Sequence, residues 1–212
     1  DSLLRRYFKM NDNERREFNE YIDIEILYRD YANKTYAETF KSEKISELAK
    51  NILNDAGYIQ AEISGSNNPK IPIYTDKNNN IVSQHDVIMT VINELRENYT
   101  YTLTPTVPET PVDSVLEAFL FDTKDGYCTH FATAATALLR EYGFCVRYCE
   151  GYIISDFTKS YAENRGASYR GIALDENAHA WIEVYYPYLG WVQYETVPDY
   201  MAAVYDSEEE IS

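Results

Sequence analysis

Cys128 stands at the head of an apolar helical pattern, and a helix start is where a thiol is most easily converted to thiolate. Within Gly126-Tyr127-Cys128-Thr129-His130 and onward, Phe131, Ala135, Leu138, Leu139 and Tyr142 repeat at a 3.6-residue period, with Gly143 in the stop position. Unpaired N–H groups and the positive end of the helix dipole at the first turn favour S⁻. A thiolate nucleophile needs a base, and the chain has three histidines. His85 occupies a polar position ahead of a helix, which predicts a capping or surface residue. His130 follows Cys128 by two residues, so on a helix their side chains diverge by roughly 200°. His179 is different. It opens the alternating strand Ala178–Tyr185 between two alanines, small neighbours that let another element approach. The returning strand Gly190–Pro198 carries Glu195, and antiparallel pairing about the Tyr186–Leu189 turn places that carboxylate within a residue or two of His179. If the helix start lies against this strand, Cys128, His179 and Glu195 become nucleophile, base and orienter. Glu183 shares a strand face with His179, but four residues of strand put it roughly 13 Å away.

The elements that must position these groups divide by period. Ile45, Leu48, Ala49, Ile52 and Leu53 mark an amphipathic helix capped by Ser42, and Val87, Ile88, Val91, Ile92 and Leu95 mark another. Residues 1–40 read as one or two further helices whose apolar stripe needs cover. Ile71–Tyr74, between two turn-rich clusters, predicts a loop or small ribbon; Asn98–Leu103 turns β-like, and Val112–Phe121 predicts a short helix after three prolines. Beyond Gly143 the period changes to two, over 144–153, 178–186 and 190–196, with polar residues 156–175 expected as a loop over one rim. Helices followed by an antiparallel sheet make the fold class α+β. The expected division is a helical extension over 1–80, a main domain over 81–205 and an acidic tail over 206–212.

Bulk composition narrows the function. A formal charge of −16 repels phosphate backbones and anionic lipid, which argues against nucleic acid as a partner. No apolar run reaches the length of a membrane span. The numbering opens at Asp1, which reads as a fragment of a longer protein. Three cysteines are too few for a disulfide framework. On a strand, Cys145 and Cys149 would stand roughly 13 Å apart, beyond the roughly 7 Å a bridge can reach. Their spacing with Cys128 matches no compact zinc pattern, and the acidic runs lack the ordered ligands calcium requires, so no metal is expected.

Taken together in order, Gly126-Tyr127-Cys128, Leu138-Leu139-Arg140, Gly151-Tyr152, His179-Ala180-Trp181-Ile182-Glu183-Val184-Tyr185, Gly190-Trp191-Val192 and Glu195-Thr196-Val197-Pro198 resemble the transglutaminase-like superfamily over roughly residues 85–200. Tyr99–Pro105 and Asp113–Phe121 resemble the extracytoplasmic domains of its bacterial membrane-anchored members. The resemblance implies a papain-like core with the cysteine helix packed on the sheet. It also implies a Cys128–His179–Glu195 triad acting on peptide or protein amides without a cofactor, by cross-linking, deamidation or proteolysis. Where the family commonly has Asp-Pro-Thr, this chain has Glu195-Thr196-Val197, and the extra methylene changes the reach. Tyr101, ahead of Tyr99, is the expected partner of the Cys128 N–H in an oxyanion site, with Tyr127 and Trp181 as further oxyanion or substrate contacts. The implied setting is a soluble domain outside a bacterial cell membrane, tethered by segments of a longer parent. The alternative is a binding module of the same fold without turnover.

Overall fold

The computed structural model describes residues 9–61, 72–108, 114–154, 157–162, 166–171 and 173–198. Its centre is helix α5 (Cys128–Glu141), numbered after α1 (Asp12–Tyr36), α2 (Glu43–Ala56), α3 (Gln84–Asn98) and the short α4 (Val115–Glu117). The sequence pattern assigns α5 one apolar face. In the structure it is covered on nearly all sides, with Phe131, Ala132, Ala134, Ala135, Ala137, Leu138 and Leu139 all at zero exposure. The four alanines explain this: short side chains let α2 and α3 close on one side and the sheet on the other. Each fully buried leucine stabilises by roughly 1.5–3 kcal/mol. A leucine at Ala134 or Ala135 would overpack the same space. Gly143 ends the helix at φ +84°, a left-handed position where its N–H reaches the Arg140 carbonyl at 2.9 Å.

The sheet behind α5 consists of β6 (Val146–Tyr152), β9 (Ala178–Tyr186) and β10 (Gly190–Tyr194), ordered β10–β9–β6 and antiparallel throughout. Its alternation sorts side chains by face. Ala180, Ile182 and Val184 join the core with α5; His179, Trp181, Glu183 and Tyr185 take the other face. Over the Tyr185 end of that face lies α1, the helix that the described residues show in the stretch predicted to hold one or two. It docks through Glu25, whose Oε1 accepts from the Tyr185 hydroxyl at 2.7 Å and the Tyr188 N–H at 3.1 Å. Tyr28 accepts from the Trp191 indole N–H at 2.7 Å.

Three smaller ribbons accompany this sheet among the described residues. Strands β1 (Ile59–Ala61), β2 (Ile73–Thr75) and β3 (Ile81–Val82) make an antiparallel ribbon, and β4 (Thr100–Tyr101) pairs in parallel with β5 (Asp125–Gly126). The expected helix 112–121 is short: α4 passes into a π-helical turn, Ala118–Thr123. The predicted rim loop 156–175 is a correction. It contains the hairpin β7 (Phe157–Ala162) and β8 (Gly166–Gly171); polar alternation concealed strands that have little apolar surface to bury. The expected acidic tail, 206–212, lies outside the described residues. The α+β class holds, with a helix packed on an antiparallel sheet. Among the described residues no helix is long and apolar enough to cross a membrane.

Candidate active site

Cys128 is the first residue of α5, after Tyr127 in extended backbone, φ −111° and ψ −175°. The Tyr127 N–H donates to His130 Nδ1 at 3.3 Å, so His130 serves the helix start and turns away from the thiol. Gly126 makes room for that ring, since a Cβ there would meet His130 Cγ at 2.7 Å. Cys128 is largely covered, 9% exposed.

His179 lies on β9 opposite Gly151 of β6 and is buried. Its Nε2 stands 2.6 Å from Glu195 Oε2, and its side chain is hydrogen-bonded to Cys128. With Nε2 committed to the carboxylate, Nδ1 is the nitrogen left for sulfur. The structure therefore brings Cys128, His179 and Glu195 together in that order.

The hairpin register explains how Glu195 gets there. Tyr194 pairs with Ile182, and continuing the same count sets Glu195 opposite Trp181, diagonal to His179. Diagonal neighbours lie roughly 7–8 Å apart, within reach of long side chains. The methylene that distinguishes Glu from Asp suits that span. The other carboxylate oxygen, Oε1, accepts from the N–H groups of Thr196 and Val197 at 2.8 and 2.9 Å, and Arg96 Nη2 donates to the Glu195 main-chain oxygen at 2.8 Å. Glu183, the rival carboxylate, is held instead by Arg147 across the β6–β9 pair, Nε to Oε2 at 2.6 Å.

These contacts set the charge state. Burial pushes the Cys128 thiol up, but the hydrogen bond with His179, the Ala180 N–H, the imidazolium charge and the Thr129 N–H outweigh it, and the thiol titrates below its ordinary value. Burial pulls His179 down; the hydrogen bonds to Cys128 and Glu195 and their charges overcome this and raise it to about 9. Both shifts favour the imidazolium–thiolate form of the pair over the neutral one.

Of the other sequence candidates, Tyr101 pairs with Gly126 just before the cysteine. Burial, then the charges of Cys128 and Glu195, push its phenol up, so it stays a neutral hydroxyl able to donate. Trp181 stacks on His179, centroids 6.4 Å apart and planes 19° apart, and its ring lies so close to Gly151 that a Cβ there would meet Cη2 at 2.7 Å. Tyr127 packs edge-on against His130, centroids 4.5 Å apart.

Sequence reasoning passed over two residues. His85 is neither cap nor simple surface, because Ser83 caps α3 by accepting the Asp86 N–H at 3.1 Å. The His85 Nδ1 instead meets the Tyr194 hydroxyl at 3.0 Å, which in turn is 2.6 Å from the Tyr186 hydroxyl. Arg96, on the same helix, holds Glu195. Both line a groove of about 790 Å³ that also borders Met89, His179, Trp181 and Gln193. No spacing in the sequence marks them, since a single helical face brings them to β10 only after packing.

A helix-start cysteine facing a strand histidine held by a carboxylate, on a helix-and-antiparallel-sheet core, defines a cysteine-centred α+β fold, and the chain belongs to the transglutaminase-like superfamily, whose family model matches residues 72–196. It is 38% identical over 112 residues to the uncharacterized protein YebA of Bacillus subtilis and 36% identical over 107 residues to a protein-glutamine gamma-glutamyltransferase of Pseudomonas aeruginosa. Those matches take in 52% and 50% of this chain, and 15% and 14% of the relatives' lengths. The fold is similar to the periplasmic domain of TgpA from Pseudomonas aeruginosa, with a TM-score of 0.52 at 21% identity, covering 84% of this chain and 52% of that one.

Proposed function

We propose that the protein is a cysteine-dependent enzyme that transfers or hydrolyses acyl groups of peptide or protein amides. The observation that carries this is the His179 imidazole, bonded on one side to Glu195 at 2.6 Å and on the other to a thiol of lowered pKa. Family membership and the protein-glutamine gamma-glutamyltransferase among the relatives support the cysteine-dependent class. In the proposed reaction the Cys128 thiolate adds to the amide carbonyl, and the Cys128 N–H with the Tyr101 hydroxyl holds the oxyanion. The C–N bond then breaks as His179 gives its proton to the leaving amine, leaving a thioester and a neutral imidazole. An amine or water next attacks the thioester carbon, its proton passes to His179, and the C–S bond breaks to restore thiolate and imidazolium. Glu195 keeps the ring oriented and favours its protonated form.

The test is to incubate the protein and Cys128→Ala with glutamine-containing peptides and an amine probe, following mass changes for cross-linking, deamidation and cleavage. Mass shifts in the parent that vanish in the variant are expected. Identical behaviour of the two would replace the enzyme with a non-catalytic binding module. The proposed setting is outside a bacterial cell membrane, as part of a tethered parent. Accessibility of the full-length protein to an impermeant protease on intact cells checks this.

A further inference from the structure

A second carboxylate stands beside the cysteine–histidine pair, and the proposed reaction does not use it. Glu150 of β6 is directly opposite Ala180 of β9, the residue whose N–H is hydrogen-bonded to Cys128. Residues opposed in an antiparallel pair lie roughly 4.5–5.5 Å apart and share one face of the sheet. Ala180, Ile182 and Val184 face α5, so their partners Glu150, Tyr148 and Val146 do too. Val146 is buried and Tyr148 half-buried, whereas Glu150 is exposed where the row reaches the first residue of α5. The Tyr148 hydroxyl fixes it by donating to Oε1 at 2.5 Å. Burial, then that hydrogen bond and the carboxylate's charge, push the Tyr148 phenol up, and the charges of Cys128 and Tyr127 also act on it. The exposed Tyr127 ring therefore stands at the same mouth.

The neighbouring carboxylates are neutralised: Glu183 by Arg147 and Glu195 by His179. Among the described residues no cation pairs with Glu150. An anion beside the sulfur opposes thiolate formation, so Glu150 works against the nucleophile until a positive charge meets it. A carboxylate next to an exposed aromatic ring is also a usual way to hold an organic cation. We propose that Glu150, with Tyr127 beside it, is a specificity site for a substrate cation, an ammonium or guanidinium carried close to the carbon under attack. This rests on the acyl-transfer reading for what the substrate is. The cation belongs either to a side chain next to the reactive amide or to the acceptor amine.

Charged thiol reagents test the site without turnover. Modification of Cys128 by a cationic (trimethylammonioethyl) and an anionic (sulfonatoethyl) methanethiosulfonate, mapped by mass spectrometry, gives a rate ratio for this sulfur. At low salt the ratio is expected to fall roughly five-fold or more in Glu150→Gln and further in Glu150→Lys. Glu183→Gln, which removes the same charge from the opposite face, should leave it unchanged. A ratio in Glu150→Gln equal to the parent's overturns the proposal. Turnover then assigns the cation. One arm compares glutamine peptides bearing lysine or norleucine beside the glutamine, with a single acceptor amine; the other compares cadaverine with pentylamine, with a single peptide. A Glu150-dependent preference of roughly five-fold or more for the cationic member is expected in one arm, which names the source. Acylation of Cys128 with no preference in either arm overturns the proposal. No acylation at all, with the reagent ratio still responding to Glu150, would instead defeat the enzyme reading and leave the site standing.

Discussion

The outer face of β9 carries a deeply buried pair of opposite charges near each end. His179 and Glu195 have side chains 5% and 9% exposed, and beneath α1 the Arg29 and Glu25 side chains show the same two figures. Glu25 accepts from Tyr185 and Tyr188 just as Glu195 accepts from Thr196 and Val197. Burial of charge therefore does not distinguish the candidate site from a structural joint. Two other things do. The cation at one end is an imidazole, able to exchange a proton near neutral pH, where a guanidinium is not. That imidazole also faces a thiol at a helix start and a groove, while Arg29 lies over the Tyr188 ring, 5.2 Å from its centroid, under a helix. The same strand and the same burial hold a proposed reactive centre at one end and a structural joint at the other.

Removing the cation from each end should separate these roles most sharply. His179→Gln is expected to lower amide turnover roughly 10³-fold or more, since groups acting as a unit lose most of their effect together, and to slow Cys128 alkylation at pH 7. Arg29→Met should leave alkylation unchanged while lowering stability by roughly 3–5 kcal/mol, the usual cost of stranding a buried charge. Denaturant melts and iodoacetamide kinetics on both variants check the contrast, and a reactivity loss in Arg29→Met would break it. Next in size, Glu195→Gln should reduce turnover roughly 10²-fold or more through a misoriented imidazole, whereas Glu183→Gln, losing a partly exposed pair, should cost about 1 kcal/mol or less and no activity. Tyr185→Phe deletes one hydrogen bond to Glu25 and should cost roughly 1–2 kcal/mol, with the alkylation rate intact.

The smallest effect is a pH dependence confined to one end. His179 titrates at about 9 in the folded protein, above the roughly 6.5 of a free histidine. Folding therefore favours its protonated form, and that stabilisation is complete below the lower value and lost as pH rises through about 9. Cys128 shifts the opposite way, so its contribution is present at high pH and lost as pH falls through its lowered value. Because the two contributions oppose each other, thermal midpoints recorded from pH 6 to 10 should decline less steeply in the parent than in Cys128→Ser, where the rise of His179 caused by Glu195 remains without the offsetting thiol.

Much of this was legible in the residues. The α5 period, its Gly143 stop, the Ser42 cap and the alternation of β9 each depend on neighbours within a few positions, so the helix and strand carrying Cys128 and His179 could be read directly. The 157–162 and 166–171 strands could not, because their polar alternation resembles a loop. His85 reads from the sequence as a capping or surface residue because its contact comes from Tyr194, 109 residues away.

Sequence by itself determined which groups were available: one thiol at a helix start, one histidine between alanines, and an acid just past a tight hairpin. Local pattern suffices there, since helix and strand periods are set by backbone geometry. Only the tertiary structure decided that α5 buries nearly every side and aims its first residue at β9. It also decided that Glu195 reaches His179 diagonally and that Arg147 removes Glu183 from competition. Those outcomes depend on packing between elements distant in the chain, where a shift of one residue in register would turn each side chain to the other face.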